Sequence, residues 1–559
     1  MNLCAAILLT VFRMVVIPVQ FEDREFSCSA DELRSTVSLS EQYFRQQFRG
    51  SRDFSFDLAP TVTLPKAVAY YGANYSDRRD VLLHEAVREA CSRSAGSIDF
   101  SLYDNDSDGC VDNVCLITAG LSEADGADEN WIWPQHGNLK DHGGTAGIGG
   151  VQINSFTVCT EQISDAGESP RKAGIGIFCH EFAHVLGLCD LYDTDGEGSG
   201  GLSRGLWGLS LMDTGCRLGD GADPPGFNAI DMELLGLGES VSLSKGSYTL
   251  EPIESSGRYL KAGTDVDGEY YLFECRSGQG LAIYHIDRSA NSAGWSDYYK
   301  LELSAAERWE RSQVNCRPDR ECARPVSADP DADGVSALFF PGNGHDSFGS
   351  DTAPAFRYWS GGSPSLALTD ISLNADGSVS FKVIEPLVLE ETAVFQNAAI
   401  ISWKADASLS GVSGYEIEWS DGNGEYGAAA EGSASSFTLT GLKPQTTYSF
   451  TIRLKLEDGC AYSAGGSFTT KVYLQNSYPY IYLKGSERDA DGRFSAGAKI
   501  ALKVFNAPDA AEVKWYFNGT EISVGEDGYW RVTAAGTLRA EVLMSDGSRE
   551  ILVKEIELL

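Results

Sequence analysis

Apolar residues recur in two rhythms along the chain, and the change from one to the other divides it. The run VVIPVQF at 15–21 reads as a buried strand, and ADELRSTVSLSEQYFRQQF after it spaces apolar residues three and four apart, the period of a helix with one buried face. RRDVLLHEAVREACSR predicts a second helix and NVCLITAG another buried strand. The second half of GIGIFCHEFAHVLGL predicts a third helix, closing against Gly187. From about Tyr248 the helical spacing stops, apart from a short stretch near Ser304–Arg311. Alternating runs such as YYLFEC, GLAIYHID and VSFKVIE predict strands instead. A further change falls near Glu385–Leu389, beyond which AIISWKA, GYEIEWSDG and SFTLTGLKPQTTYSFTIRLKL are short strands at sandwich spacing. AKIALKVF, EVKWYFNGT and LRAEVLMSDG carry that texture to the end.

This pattern divides the chain into an α+β domain at 14–250, its β-rich continuation at 251–385, and two β-sandwich domains at 386–470 and 471–559. The apolar start MNLCAAILLTVF has no basic residues before it, and 1–13 are read as a leader remnant. No other run approaches the roughly 20 apolar residues of a membrane span. A length of 559 residues, 42% hydrophobic and 22% charged, agrees with several globular domains. The formal charge of −36 leaves no basic excess for phosphates or anionic lipid, which argues against nucleic-acid partners and electrostatic membrane docking. Of 13 cysteines, Cys316 and Cys322 are close enough in sequence for a local bridge, while most others sit in apolar runs as buried thiols.

The chemistry concentrates in His180-Glu181-Phe-Ala-His184-Val-Leu-Gly187-Leu-Cys-Asp190. Histidines four apart on a helix face one direction, so both imidazoles reach one ion, and Glu181 between them is placed as a general base. Catalytic zinc takes three protein ligands. Gly187 lets the chain turn sharply and return Asp190 as the third, with Glu233 the competing carboxylate. Some twenty residues on, WGLSLMDTG sets Met212 in the position of a Met-turn. Tyr192 and His285 are oxyanion-donor candidates by residue type alone. His136, in WIWPQH, is either a cleft residue or a structural one.

CHEFAHVLGLCDLYD, WGLSLMDTG and PPGFNAIDMELLGLG together resemble the immune inhibitor A family of bacterial metallopeptidases, as do VVIPVQFED, YDNDSDGCVDNV, WIWPQH and GLAIYHID. The resemblance spans about 14–385. It implies a secreted or surface, metzincin-like zinc endopeptidase with zinc on His180, His184 and Asp190, Glu181 as base, calcium sites, accessory β domains and a protein or peptide substrate. Trp403, Leu442-x-Pro444 and Tyr448 resemble a fibronectin type III domain, and Trp515 is the core candidate of an immunoglobulin-like one. These modules are expected to bind a protein or carbohydrate surface, or to act as spacers. A rival reading is an adhesin that keeps the fold without activity; the intact His180, Glu181 and His184 count against it.

Asp104, Asp106, Asp108 and Asp112 stand at positions 1, 3, 5 and 9 of a calcium loop with Gly109 at position 6. Position 12 is Cys115, so the loop resembles an EF-hand only in its first part. Asp193, Asp195 and Glu197 form a weaker second acidic group.

Overall fold

The structure is a computed structural model that describes residues 11–76, 78–164, 169–332, 334–471, 479–485, 488–489 and 492–559. Most of the expected leader therefore lies outside the described residues. Strand β1 (Val11–Gln20) starts three residues before the expected domain start at 14. It is tied to the acidic loop through Arg13, whose N–H donates to Asn105 Oδ1 at 2.6 Å.

The chain forms two compact units. The first is built on β1, β2 (Asp53–Leu58), β3 (Val114–Thr118), β4 (Gln135–Asn138) and β5 (Ser155–Thr160), in the order β2-β1-β3-β5-β4. All of these pairings are parallel except the antiparallel edge strand β4. A sheet covered on both faces needs continuous apolar strands, which explains the unbroken run in β1. Met14 and Val16 point into one core with helix α1 (Ala30–Phe48). Val15, Ile17 and Val19 point into another with helix α2 (Leu83–Ser94). α1 spans the run its spacing predicts because Ser29 and Glu32 cap each other's backbone.

Helix α3 (Gly176–Val185) lies in the first core, where Phe182 meets Phe44 at 4.8 Å and Phe56 at 5.0 Å between ring centroids. Its first turn presses on the segment around Cys216. A Cβ at Gly176 would stand 1.8 Å from the Cys216 carbonyl oxygen, so only glycine fits. Most of the β-rich continuation, up to Asp346 and again over Asp370–Lys382, belongs to the same unit: strand β6 (Gly246–Leu250) pairs with β10 (Val379–Ile384). Between them β7 (Arg258–Gly263), β8 (Glu269–Arg276) and β9 (Gly280–Asp287) form an antiparallel run. Helix α5 (Ala305–Glu310), capped by Ser304, is the short helix expected there. Another single turn at Ile253–Ser256 was not expected. α4 is Ala229–Leu235.

The second unit takes in 347–369 as well as 383–559. Ser463 N–H donates to Ser350 Oγ at 2.8 Å, and Gly349 packs so closely on Tyr462 that a Cβ would lie 2.7 Å from its ring. In this unit β11 (Ala398–Ala405) carries buried Trp403. β12 (Val412–Ser420) and β13 (Thr447–Leu456) pair in a neighbouring sheet. The Tyr448 hydroxyl accepts from Lys443 N–H at 3.0 Å, the corner contact its sequence position suggests. The last segment adds further antiparallel strands around Trp515.

Among the described residues no cysteine is in a disulfide. Cys316 and Cys322, close enough in sequence for a local bridge, are not joined: Cys316 Sγ faces the Thr194 hydroxyl at 3.2 Å, while Cys322 Sγ faces the Arg320 carbonyl. Among the described residues no helix is long and apolar enough to cross a membrane.

Candidate metal centre

α3 ends at Val185, and Gly187, with φ +105°, turns the chain in a conformation that disfavours any side chain. The turn brings Asp190 back under the helix. Its Oδ1 lies 3.2 Å from His180 Nε2 and 3.3 Å from His184 Nε2. The Nδ1 atoms are committed elsewhere: His180 Nδ1 stands 2.9 Å from the Leu211 carbonyl, and His184 Nδ1 stands 2.8 Å from that of Leu188. A carbonyl only accepts, so each Nδ1 carries the proton and each Nε2 presents a lone pair. Two lone pairs and a carboxylate oxygen therefore converge. Asp190 Oδ1 is buried and accepts no well-formed hydrogen bond. This orphaned acceptor opposite two others fits a cation, and the N,N,O donor set suits zinc.

Burial alone would raise the Asp190 carboxyl, but pairing with the two imidazoles, when each carries a proton on Nε2, outweighs it and holds the group far below the usual carboxylate range. A cation between the three atoms would act on the carboxylate in the same direction. Glu181 is buried and pushed upward by desolvation, partly offset by His180 and His184. Glu181 is not one of the three converging groups.

The Met212 segment orients the site from below. Leu211 supplies the carbonyl for His180, the Met212 carbonyl accepts from Leu191 N–H at 2.8 Å, and the Met212 side chain is fully buried. Ser312, just after α5, adds a contact that the sequence did not announce: its hydroxyl donates to Asp190 Oδ2 at 3.2 Å. Glu233, the competing third ligand, is occupied elsewhere by the Tyr259 hydroxyl at 2.9 Å and by Lys261. Tyr192 does line the cleft beside Glu181, whereas His285 is buried against Glu269 at 2.7 Å and stacked on Tyr271. His136 stands 6.4 Å from His184 between ring centroids. Burial and that neighbour push its pKa down to about 4, so it stays neutral.

Residues 18–237 match the family model described as immune inhibitor A peptidase M6, catalytic domain, and 386–467 match that of the fibronectin type III domain. The chain carries a peptidase M6 catalytic domain. The chain is 24% identical over 215 residues to immune inhibitor A of Bacillus thuringiensis subsp. alesti, covering 32% of this chain and 30% of that protein. It is 27% identical over 213 residues to the pre-pro-metalloprotease PrtV of Vibrio cholerae serotype O1, covering 34% and 22%. The chain thus spans less than a third of the length of the curated relatives it matches. The solution structure of the fn3 domain of human collagen alpha-1(XX) chain aligns with 25% identity over 17% of this chain and 88% of that one, with a TM-score of 0.15.

Asp104, Asp106 and Asp108 bring carboxylate oxygens within 4.8 Å of one another, but Asp112 does not join them. It accepts instead from the backbone and side-chain N–H groups of Asn105, at 2.6 and 2.9 Å. In the second acidic loop Asp193 and Asp195 gather with Cys316 in place of the expected Glu197.

Proposed function

We propose that this chain is a zinc-dependent endopeptidase acting on protein substrates in the secreted or cell-surface space. The convergence of His180 Nε2, His184 Nε2 and Asp190 Oδ1, with both Nδ1 atoms committed to carbonyls, carries the reading. When bound, zinc supplies Lewis acidity, ionising water near neutral pH and polarising the scissile carbonyl. Glu181 takes the proton released at the nucleophile and delivers it to the leaving amine, a role helped by burial that raises its basicity. Leu211 and Leu188 hold the imidazole tautomers, and Ser312 holds the Asp190 carboxylate. Tyr192, at the cleft beside Glu181, is the candidate donor to the developing oxyanion.

Asp104, Asp106 and Asp108 are the proposed calcium ligands, and the fibronectin type III-like and immunoglobulin-like modules are proposed to bind or space. The M6 family match and the name metalloprotease borne by one relative support the peptidase reading. The test is hydrolysis of an unfolded protein: cleavage that a chelator abolishes and stoichiometric zinc restores is expected. Chelator-resistant cleavage, or none by the zinc-loaded protein, would overturn it.

A further inference from the structure

Beyond Glu181 the cleft opens into a cavity of about 320 Å³. Trp133, Pro134, Ile177 and Tyr192 give it aromatic and aliphatic walls, Thr214 stands at its exposed rim, and Arg217 supplies its cation. The Trp133 wall is braced from behind, with the Arg79 guanidinium 4.0 Å over its ring and its backbone N–H donating to Asp80 Oδ2 at 3.0 Å. Arg217 is not a free charge. Nη1 donates to Asp125 Oδ1 at 2.6 Å, and Nη2 reaches the Ala124 carbonyl at 3.4 Å. The Asp125 side chain is only 2% exposed while that of Arg217 is 35% exposed, so the anion lies inside the wall and the cation at its surface. The other Asp125 oxygen accepts the Ser122 hydroxyl, which fixes the carboxylate from within. The Asp213 carboxylate, also at the cavity, is turned onto the backbone N–H groups of Leu206, Trp207 and Thr214.

Resting on the peptidase reading, we propose that Asp125 is a specificity-determining residue. By cancelling the Arg217 charge within the wall, it makes this cavity the subsite for a large uncharged side chain of the substrate, such as leucine, methionine or phenylalanine. An acidic side chain entering here finds a guanidinium already paired and loses its hydration without gaining an ion pair. An apolar one buries its surface against Trp133 and Ile177. If Asp125 lost its charge, Arg217 would become an unpaired cation at the rim of an apolar pocket, a ready partner for a carboxylate.

The experiment measures kcat/KM for paired peptides with phenylalanine or glutamate at the position a peptide library shows to be most selective. It compares zinc-loaded wild type with Asp125→Asn and Arg217→Met. The affinity ratio of matching peptide hydroxamates gives a second readout without turnover. Wild type should favour phenylalanine, and Asp125→Asn should raise the glutamate-to-phenylalanine ratio by about tenfold or more. Arg217→Met should move that ratio the other way, which keeps the test alive if Asp125→Asn does not fold. A folded, zinc-loaded Asp125→Asn with the wild-type ratio would overturn the proposal, as would a wild-type preference for acidic or small residues. Loss of all peptide cleavage by zinc-loaded wild type would sink the peptidase reading itself. Retained cleavage with an unmoved ratio would sink only the role of Asp125.

Discussion

His180, His184 and Asp190 meet in the interior, whereas Asp104, Asp106 and Asp108 meet at the surface, and the two clusters handle their lone pairs in opposite ways. In the interior, each ligand is aimed by a group outside the cluster: the Leu211 carbonyl, the Leu188 carbonyl and the Ser312 hydroxyl. The atoms left over face one another and have nothing else to do. At the surface, the loop answers its own carboxylates. Asp104 accepts from the N–H groups of Asp108 and Gly109, and Asp108 accepts from that of Cys110. A cluster oriented from outside is set up for an ion before the ion arrives. A cluster saturated by its own backbone must exchange some of those bonds for it and has water as an alternative.

If the interior cluster is a catalytic centre and the surface one only a brace, perturbations should separate them steeply. Glu181→Gln keeps size and polarity but removes the base, so peptide hydrolysis should fall by roughly a hundred- to ten-thousand-fold. Substantial turnover by zinc-loaded Glu181→Gln would break the comparison at once. Ser312→Ala leaves all three interior ligands in place but frees the Asp190 carboxylate to rotate, and zinc affinity measured by chelator competition should drop by about tenfold. An unchanged affinity would show that the interior cluster is not oriented from outside.

The surface loop should affect stability alone. Calcium at about a hundred times its dissociation constant should stabilise the fold by about 2.7 kcal/mol. Thermal melts of Asp106→Ala should lack that response while zinc-supported cleavage below the melting range persists. A calcium response that survives Asp106→Ala would remove the loop from the account. A last effect sharpens the contrast between buried carboxylates. Asp80, which holds the Trp133 and Gln135 N–H groups, has no imidazole pair beside it, and burial pushes its pKa up to about 7. A carboxyl raised above its unfolded value of 3.8 favours folding below that value, and its contribution is lost as pH rises through about 7. Melts should therefore show stability declining over that window in wild type, with a shallower decline in Asp80→Asn. Equal slopes would contradict it.

Much of this was readable from local pattern. The spacing over 30–48 gave α1 its full length because Ser29 and Glu32 close the helix start within the same segment. His180 and His184 lie one turn apart, and a single glycine returns Asp190, so the interior cluster is encoded within eleven residues. What lay hidden depends on chain far away. Ser312 reaches Asp190 from 122 positions downstream, and Arg217 finds Asp125 from 92 upstream. Neither pair shares a periodic segment that would announce it. Asp112 sits at a calcium-loop position, yet Asn105 takes it, a competition that spacing cannot express. Nearness in sequence also left a question open: Cys316 and Cys322 are six apart, but Thr194 draws the first thiol to another neighbour.

The most direct test is the zinc content of purified Glu181→Gln beside that of Asp190→Ala, measured by elemental mass spectrometry after dialysis against a weak chelator. Glu181 acts on the nucleophile without holding the ion, whereas Asp190 closes the set of three acceptors. Glu181→Gln should therefore keep one zinc per chain while inactive, and Asp190→Ala should lose zinc together with activity. Stoichiometric, tightly held zinc in Asp190→Ala, or its loss from Glu181→Gln, would contradict the assignment of ligand and base.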